Sequence, residues 1–160
     1  MSSTIHGYSV KLADATHGYG SRGTVQVSVG KTNPQSNTIS LFTVSGPIVA
    51  SLVGVVSTVF GVTTQHLTLG VTGNATAIAA GPSVALASTA VGSVIQLPSA
   101  IGAALPAPVT VTGAHAGAVL LEVCNTIITA TSDASTTGAV TWILTWAPVS
   151  GQYGASVVTN

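Results

Sequence analysis

The chain has 160 residues, three basic and three acidic side chains, a formal net charge of 0 and a mean hydropathy of +0.65. An average soluble domain of this length carries about 40 charged residues, so six leave no basic stripe for a phosphate backbone and little charge to keep neighbouring molecules apart. One domain is expected, long enough to bury about 70% of its unfolded surface without help from metals or disulfides.

The charges are unevenly placed. Lys11, Asp14 and Arg22 precede, and Lys31 begins, a cluster of turn formers, Lys31-Thr-Asn-Pro-Gln-Ser-Asn37, near which a boundary lies. Residues 1–36 therefore read as an extended, partner-dependent N-terminal arm with one short strand, where Val25, Val27 and Val29 alternate with polar residues. The arm repeats His6-Gly7-Tyr8 as His17-Gly18-Tyr19. Its start, Met-Ser-Ser-Thr-Ile-His-Gly, has neither the basic beginning nor the apolar stretch of a secretory signal, so synthesis in a cytoplasm without export is the expectation.

Residues 37–160 read as the folded domain. From Thr32 to Leu121, ninety residues pass without Lys, Arg, Asp or Glu. The run Pro47–Val62 is apolar but too short for a spanning helix, and it is broken by Ser51, Ser57 and Thr58. No membrane association is expected. Val53–Phe60 and Val119–Cys124 are apolar on both faces, as in strands covered on both sides. Leu67, Leu69 and Val71 alternate with Thr68, and Val109 and Val111 with Thr110, which predicts half-buried strands. Ala75–Ala80 is the best local helix candidate. Leu97–Pro108 reads as an exposed apolar loop.

The plainest strand is Ala139–Ala147, where Val140, Trp142, Leu144 and Trp146 share one face and Thr141, Ile143 and Thr145 the other. Short strands with turn signals every 8 to 12 residues predict an all-β protein, an antiparallel β-sandwich of jelly-roll type.

A search for chemistry finds little. The carboxylates are Asp14, Glu122 and Asp133, and a paired-carboxylate mechanism needs Glu122 to meet one of the other two. Glu122 reads instead as a strand-face carboxylate directed to solvent or to a partner such as Arg22. His6, His17, His66 and His115 show no metal-ligand spacing, and no nucleophile elbow or phosphate-cradling glycine motif is present. Catalytic, cofactor and metal sites are therefore all expected to be absent. The lone Cys124 reads as a buried, inert thiol. Tyr8, Tyr19 and Tyr153 stand beside glycines, where a ring can anchor an interface or cover its own loop. Trp142 and Trp146 are core or interface aromatics.

The segment Phe42-Thr-Val-Ser-Gly-Pro-Ile48 and the later Trp142-Ile-Leu-Thr-Trp-Ala-Pro148, separated by an Ala-, Gly- and Thr-rich middle, resemble in style and order the small virion structural proteins of tailed bacteriophages. The resemblance covers roughly Ile39 to Val158. It implies a capsid decoration, or cement, protein: a β-rich module on the outside of the icosahedral shell that contacts the major capsid protein, commonly as a trimer. His6, Tyr8, His17, Tyr19 and Arg22 then become candidates for gripping the capsid, and the virion becomes the expected location. A tail or head-fibre part touching the host surface and a self-assembling cellular sheath remain rival expectations. An enzyme is disfavoured by the scarcity of acids, bases and ligands.

Overall fold

A computed structural model describes residues 4–5, 8–9, 25–32, 38–61, 65–80, 86–110, 120–133, 137–149 and 154–160. Among these residues there are eleven strands and no helix: β1 (Thr4–Ile5), β2 (Tyr8–Ser9), β3 (Val25–Thr32), β4 (Thr38–Thr58), β5 (Leu67–Val71), β6 (Asn74–Ala79), β7 (Ser93–Gln96), β8 (Val109–Thr110), β9 (Leu121–Ser132), β10 (Ala139–Pro148) and β11 (Ser156–Thr159). The chain is all-β, and every strand pairing is antiparallel. Strands β1 and β2 form a separate hairpin. The other nine make one sheet with the central order β3-β10-β4-β9-β5-β6, curled into a half-barrel.

The organising element is β4. Its 21 residues would span about 70 Å if straight, at roughly 3.3 Å per residue. It serves instead as the spine of two limbs. Along one edge it pairs with β11 over Phe42–Ser45 and then with β10 over Ile48–Thr58. Along the other it pairs with β9 over Thr38–Ala50 and then with β7 over Val53–Val55.

The limbs meet at Gly46-Pro47, where the register with β9 shifts between Val44 and Pro47. Proline cannot donate to a ladder and is tolerated inside a sheet only at such an irregularity. Gly46 has φ +76°, and a Cβ there would lie 3.1 Å from the Ala155 backbone, so only glycine fits the corner without strain. Across the bulge Asn125, also in the left-handed region at φ 46°, accepts the Gly46 N–H on Oδ1 at 2.7 Å. Asparagine tolerates that conformation better than most residues with a side chain.

The core follows the period-two pattern. On β10, Val140, Trp142, Leu144 and Trp146 are buried while Thr141, Ile143 and Thr145 are half-buried on the other face. They pack in one hydrophobic cluster with Leu41, Phe42, Ile48, Leu52, Val56 and Phe60 from β4 and its C-terminal end, and with Leu69, Ile95, Leu121 and Ile128 from strands β5, β7 and β9. Trp142 lies opposite Gly54, whose missing side chain leaves room for the indole.

Three expectations are corrected. The helix candidate Ala75–Ala80 is almost wholly strand β6: it folds back on β5 through Thr72-Gly73, and its backbone at Asn74-Ala75 crosses so close to Gly70 that a Cβ on that glycine would collide with it. Tertiary pairing overrides the helical preference of alanine. The loop 97–108 is not uniformly exposed, because Leu97 and Leu105 are buried while Ile101 points outward. Cys124 is exposed, since β9 runs through the corner with that face turned to solvent.

Strand β3, placed within the arm by the sequence reading, pairs with β10 along its whole length, Val25↔Trp146 to Thr32↔Ala139. Val111 lies outside the described residues.

Candidate functional site

On the sheet face opposite the core the register builds one surface that is uncharged across β7, β4 and β10, with Glu122 of β9 at its margin opposite Val49. Directly opposed residues in antiparallel strands share a face. The cross-strand rows Gln96–Val53–Ile143 and Val94–Val55–Thr141, with Ser51–Thr145 and Val49–Ala147 beyond them, therefore lie side by side across β7, β4 and β10. All ten are half-buried. Nine of them are Val, Ile, Ala, Ser or Thr. These side chains are short and mostly β-branched, so they lose little rotamer entropy on contact and require no ion to be stripped of water.

At the corner the same chemistry is more exposed. Leu120 is 65% exposed ahead of β9, Val149 is 38% exposed with its amide donating to the Pro47 carbonyl at 3.1 Å, and Val158 on β11 is 59% exposed. Cys124 lies opposite Pro47 on the neighbouring strand and Glu122 opposite Val49.

Glu122 projects to solvent. It sits near one end of the twelve-residue β9, and Asp133 follows the other end, so roughly 36 Å of extended chain separates the two. They form no acid–base pair. Among the described residues no group of three or more His, Cys, Asp or Glu side chains is placed to hold a metal ion.

Trp142 and Trp146 are both buried on the core face of β10, so neither presents an open stacking surface. The Trp146 indole Nε1 is buried with no hydrogen-bond partner among the described residues, an uncommon state for a buried tryptophan. Tyr8 occupies β2, in register with Ile5 of β1. His6, His17, Tyr19, Arg22, His115 and Tyr153 lie outside the described residues.

One polar constellation is absent from any reading of local spacing. Strands β5 and β9 pair with Leu67 opposite Ser132, which brings the residues just beyond them, His66 and Asp133, together across 67 positions of sequence. The Asp133 carboxylate accepts the His66 backbone N–H on Oδ1 at 2.7 Å, and Oδ2 lies 2.5 Å from the imidazole Nδ1. The carboxylate oxygen can only accept, which places the ring proton on Nδ1. The Asp133 N–H in turn points to the His66 carbonyl at 3.4 Å. Beside this pair the buried Gln65 donates from Nε2 to Ser132 Oγ at 2.5 Å.

Burial pushes the Asp133 carboxyl up, but the His66 amide, the His66 ring hydrogen bond and the ring's charge together outweigh it and hold the group below its ordinary value of 3.8. The evident effect of the dyad is to join two strand ends.

No protein-family model, curated protein or solved structure shows significant similarity to this chain.

Proposed function

We propose that this protein is a non-enzymatic structural module that assembles with other protein, and that it decorates and stabilises the outside of an icosahedral phage capsid through apolar, strand-rich contacts. The observation that carries the reading is the uncharged sheet face across β7, β4 and β10. Such a face can be covered by protein with little desolvation cost, and identical copies around an axis meet without repeated like-charge repulsion.

In the finer architecture proposed here, the two limbs that share β4 are the two layers of a jelly-roll-like sandwich. Long strands that change sheets at a bulge make the corners of such packings, and the Gly46-Pro47 corner supplies one. The partners proposed are the major capsid protein and further copies of this chain, with a trimer favoured, and the location is the virion surface. His6, Tyr8, His17, Tyr19 and Arg22 are the proposed capsid-contact residues of the arm. No nucleic acid, membrane, cofactor or metal enters the proposal.

The test is quantitative mass spectrometry of density-purified particles from the source culture, scoring copies of this chain against copies of the most abundant shell protein. A ratio near one is the expected result. A few copies per particle would move the protein to the tail or a head fibre. Absence from particles would overturn both placements in favour of a cellular sheath.

A further inference from the structure

We propose that the His66–Asp133 pair is an acid-labile latch, holding the chain where it enters β5 against the exit of β9 and so controlling how firmly the β5–β6 hairpin is seated on the sheet. This goes beyond the assembly reading and does not depend on it. The geometry makes the latch two-pronged: one carboxylate takes both the backbone N–H and the ring Nδ1–H of the same residue, at 2.7 and 2.5 Å.

The seating is vulnerable at this point. Strand β5 has five residues and joins β9 through the five pairs Leu67↔Ser132 to Val71↔Ile128, and in the sheet order β6 follows β5 at the end of the path. Whatever loosens the start of β5 therefore loosens the hairpin as a unit, while β4, β10 and β3 are held by longer ladders. Local opening of such a unit without global unfolding is ordinary protein behaviour.

Asp133 carries the titration. The described residues that meet here, 61, 65–66, 86–89, 133 and 137–138, together with β5 and the 128–132 part of β9, include no ionisable side chain other than His66 and Asp133. The neighbouring Gln65–Ser132 bond is between neutral groups and does not respond to pH. The carboxyl is held below its ordinary value in the folded chain. Its contribution is therefore fully present above about pH 4, the unfolded value, and is lost as pH falls through the lower folded value. On protonation the carboxyl becomes a poorer acceptor, and what the carboxylate's negative charge contributes to both bonds disappears.

The experiment is hydrogen exchange on the whole chain between pH 6 and pH 2.5, read as protection relative to the intrinsic rate for the segments Leu67–Ala79, Leu121–Ser132 and Ala139–Trp146. Both side chains are partly exposed, so the effect is that of a screened pair. Protection of Leu67–Ala79 is expected to fall roughly threefold to tenfold in the wild type, with a midpoint below pH 3.8, while Ala139–Trp146 keeps its protection. Asp133→Asn is expected to show the lower protection at every pH, with no further fall. Glu122→Gln is expected to behave as wild type.

Should Asp133→Asn not fold, His66→Gln serves. It keeps the carboxylate and its backbone bond but removes the ring, and it is expected to shrink the fall and move its midpoint upward. A flat wild-type profile, an equal fall in Asp133→Asn, an unshifted profile in His66→Gln, loss of the fall in Glu122→Gln, or a uniform fall across all three segments would each overturn the latch.

Discussion

Replacing Gly54 by alanine separates two opposed effects of adding one methyl group to a strand. In an open strand position the change is favourable, because glycine gives up more backbone entropy on folding and costs about 0.5–1 kcal/mol relative to alanine. Gly54, however, lies opposite Trp142, and a Cβ there would sit 2.9 Å from Trp142 Cζ3 and 2.9 Å from Val140 Cγ1. Ordinary carbon contacts are about 3.5–4.0 Å, so the indole and the valine must both retreat. Neither has space to do so, since Trp142 and Val140 are buried in the same cluster.

Overpacking of this kind costs about 1–3 kcal/mol. With neither side chain free to retreat the upper half of that range applies, and subtracting the entropy gain leaves a net destabilisation of roughly 1–2.5 kcal/mol. For a chain of 160 residues that is a fall in Tm of about 2–10 °C. Trp142 and Trp146, both buried, supply the assay, because their emission moves to the red when unfolding exposes them to water. A double-mutant cycle with Trp142→Leu tests the cause. The cost of Gly54→Ala is expected to shrink by at least half when the ring is gone, with Trp146 still reporting. An unchanged or higher Tm for Gly54→Ala, or a cycle with no coupling, would refute the account of this contact.

At the corner of β4, Asn125→Ala removes the acceptor of the Gly46 N–H and leaves an alanine in the left-handed region, with an expected loss of about 1–2 kcal/mol in urea unfolding. Asn125→Gly loses the same hydrogen bond without the backbone strain, so it is expected to be the milder of the two. A glycine variant as damaged as the alanine one would show that backbone strain is not part of the cost. The exposed Cys124 is expected to react with a thiol reagent at one equivalent per chain in the folded protein. Labelling that waits for denaturant would contradict its placement.

Much of the architecture is legible along the chain. Val140, Trp142, Leu144 and Trp146 alternate with Thr141, Ile143 and Thr145, and the alternation assigns the faces of β10 because side chains in an extended strand switch sides at every residue. The scarcity of charge and the frequency of β-branched residues and turn formers likewise predict an all-β antiparallel protein, and that is its class. These properties are local: each is set by a residue and its immediate neighbours.

What only the tertiary structure decided depends on partners far away in sequence. Strand β4 continues through Pro47 because Asn125 and Ala155, 78 and 108 positions on, shape a corner around Gly46. Ala75–Ala79 is a strand because β5 offers an edge, and Cys124 is exposed because its part of β9 turns that side outward at the corner. His66 and Asp133 meet through the β5–β9 register, to which neither residue's own surroundings point. A period of two specifies which face a residue takes; it carries no information about which strand lies alongside, since many alternating apolar segments can pair with one another and only the packing of the whole core selects among them.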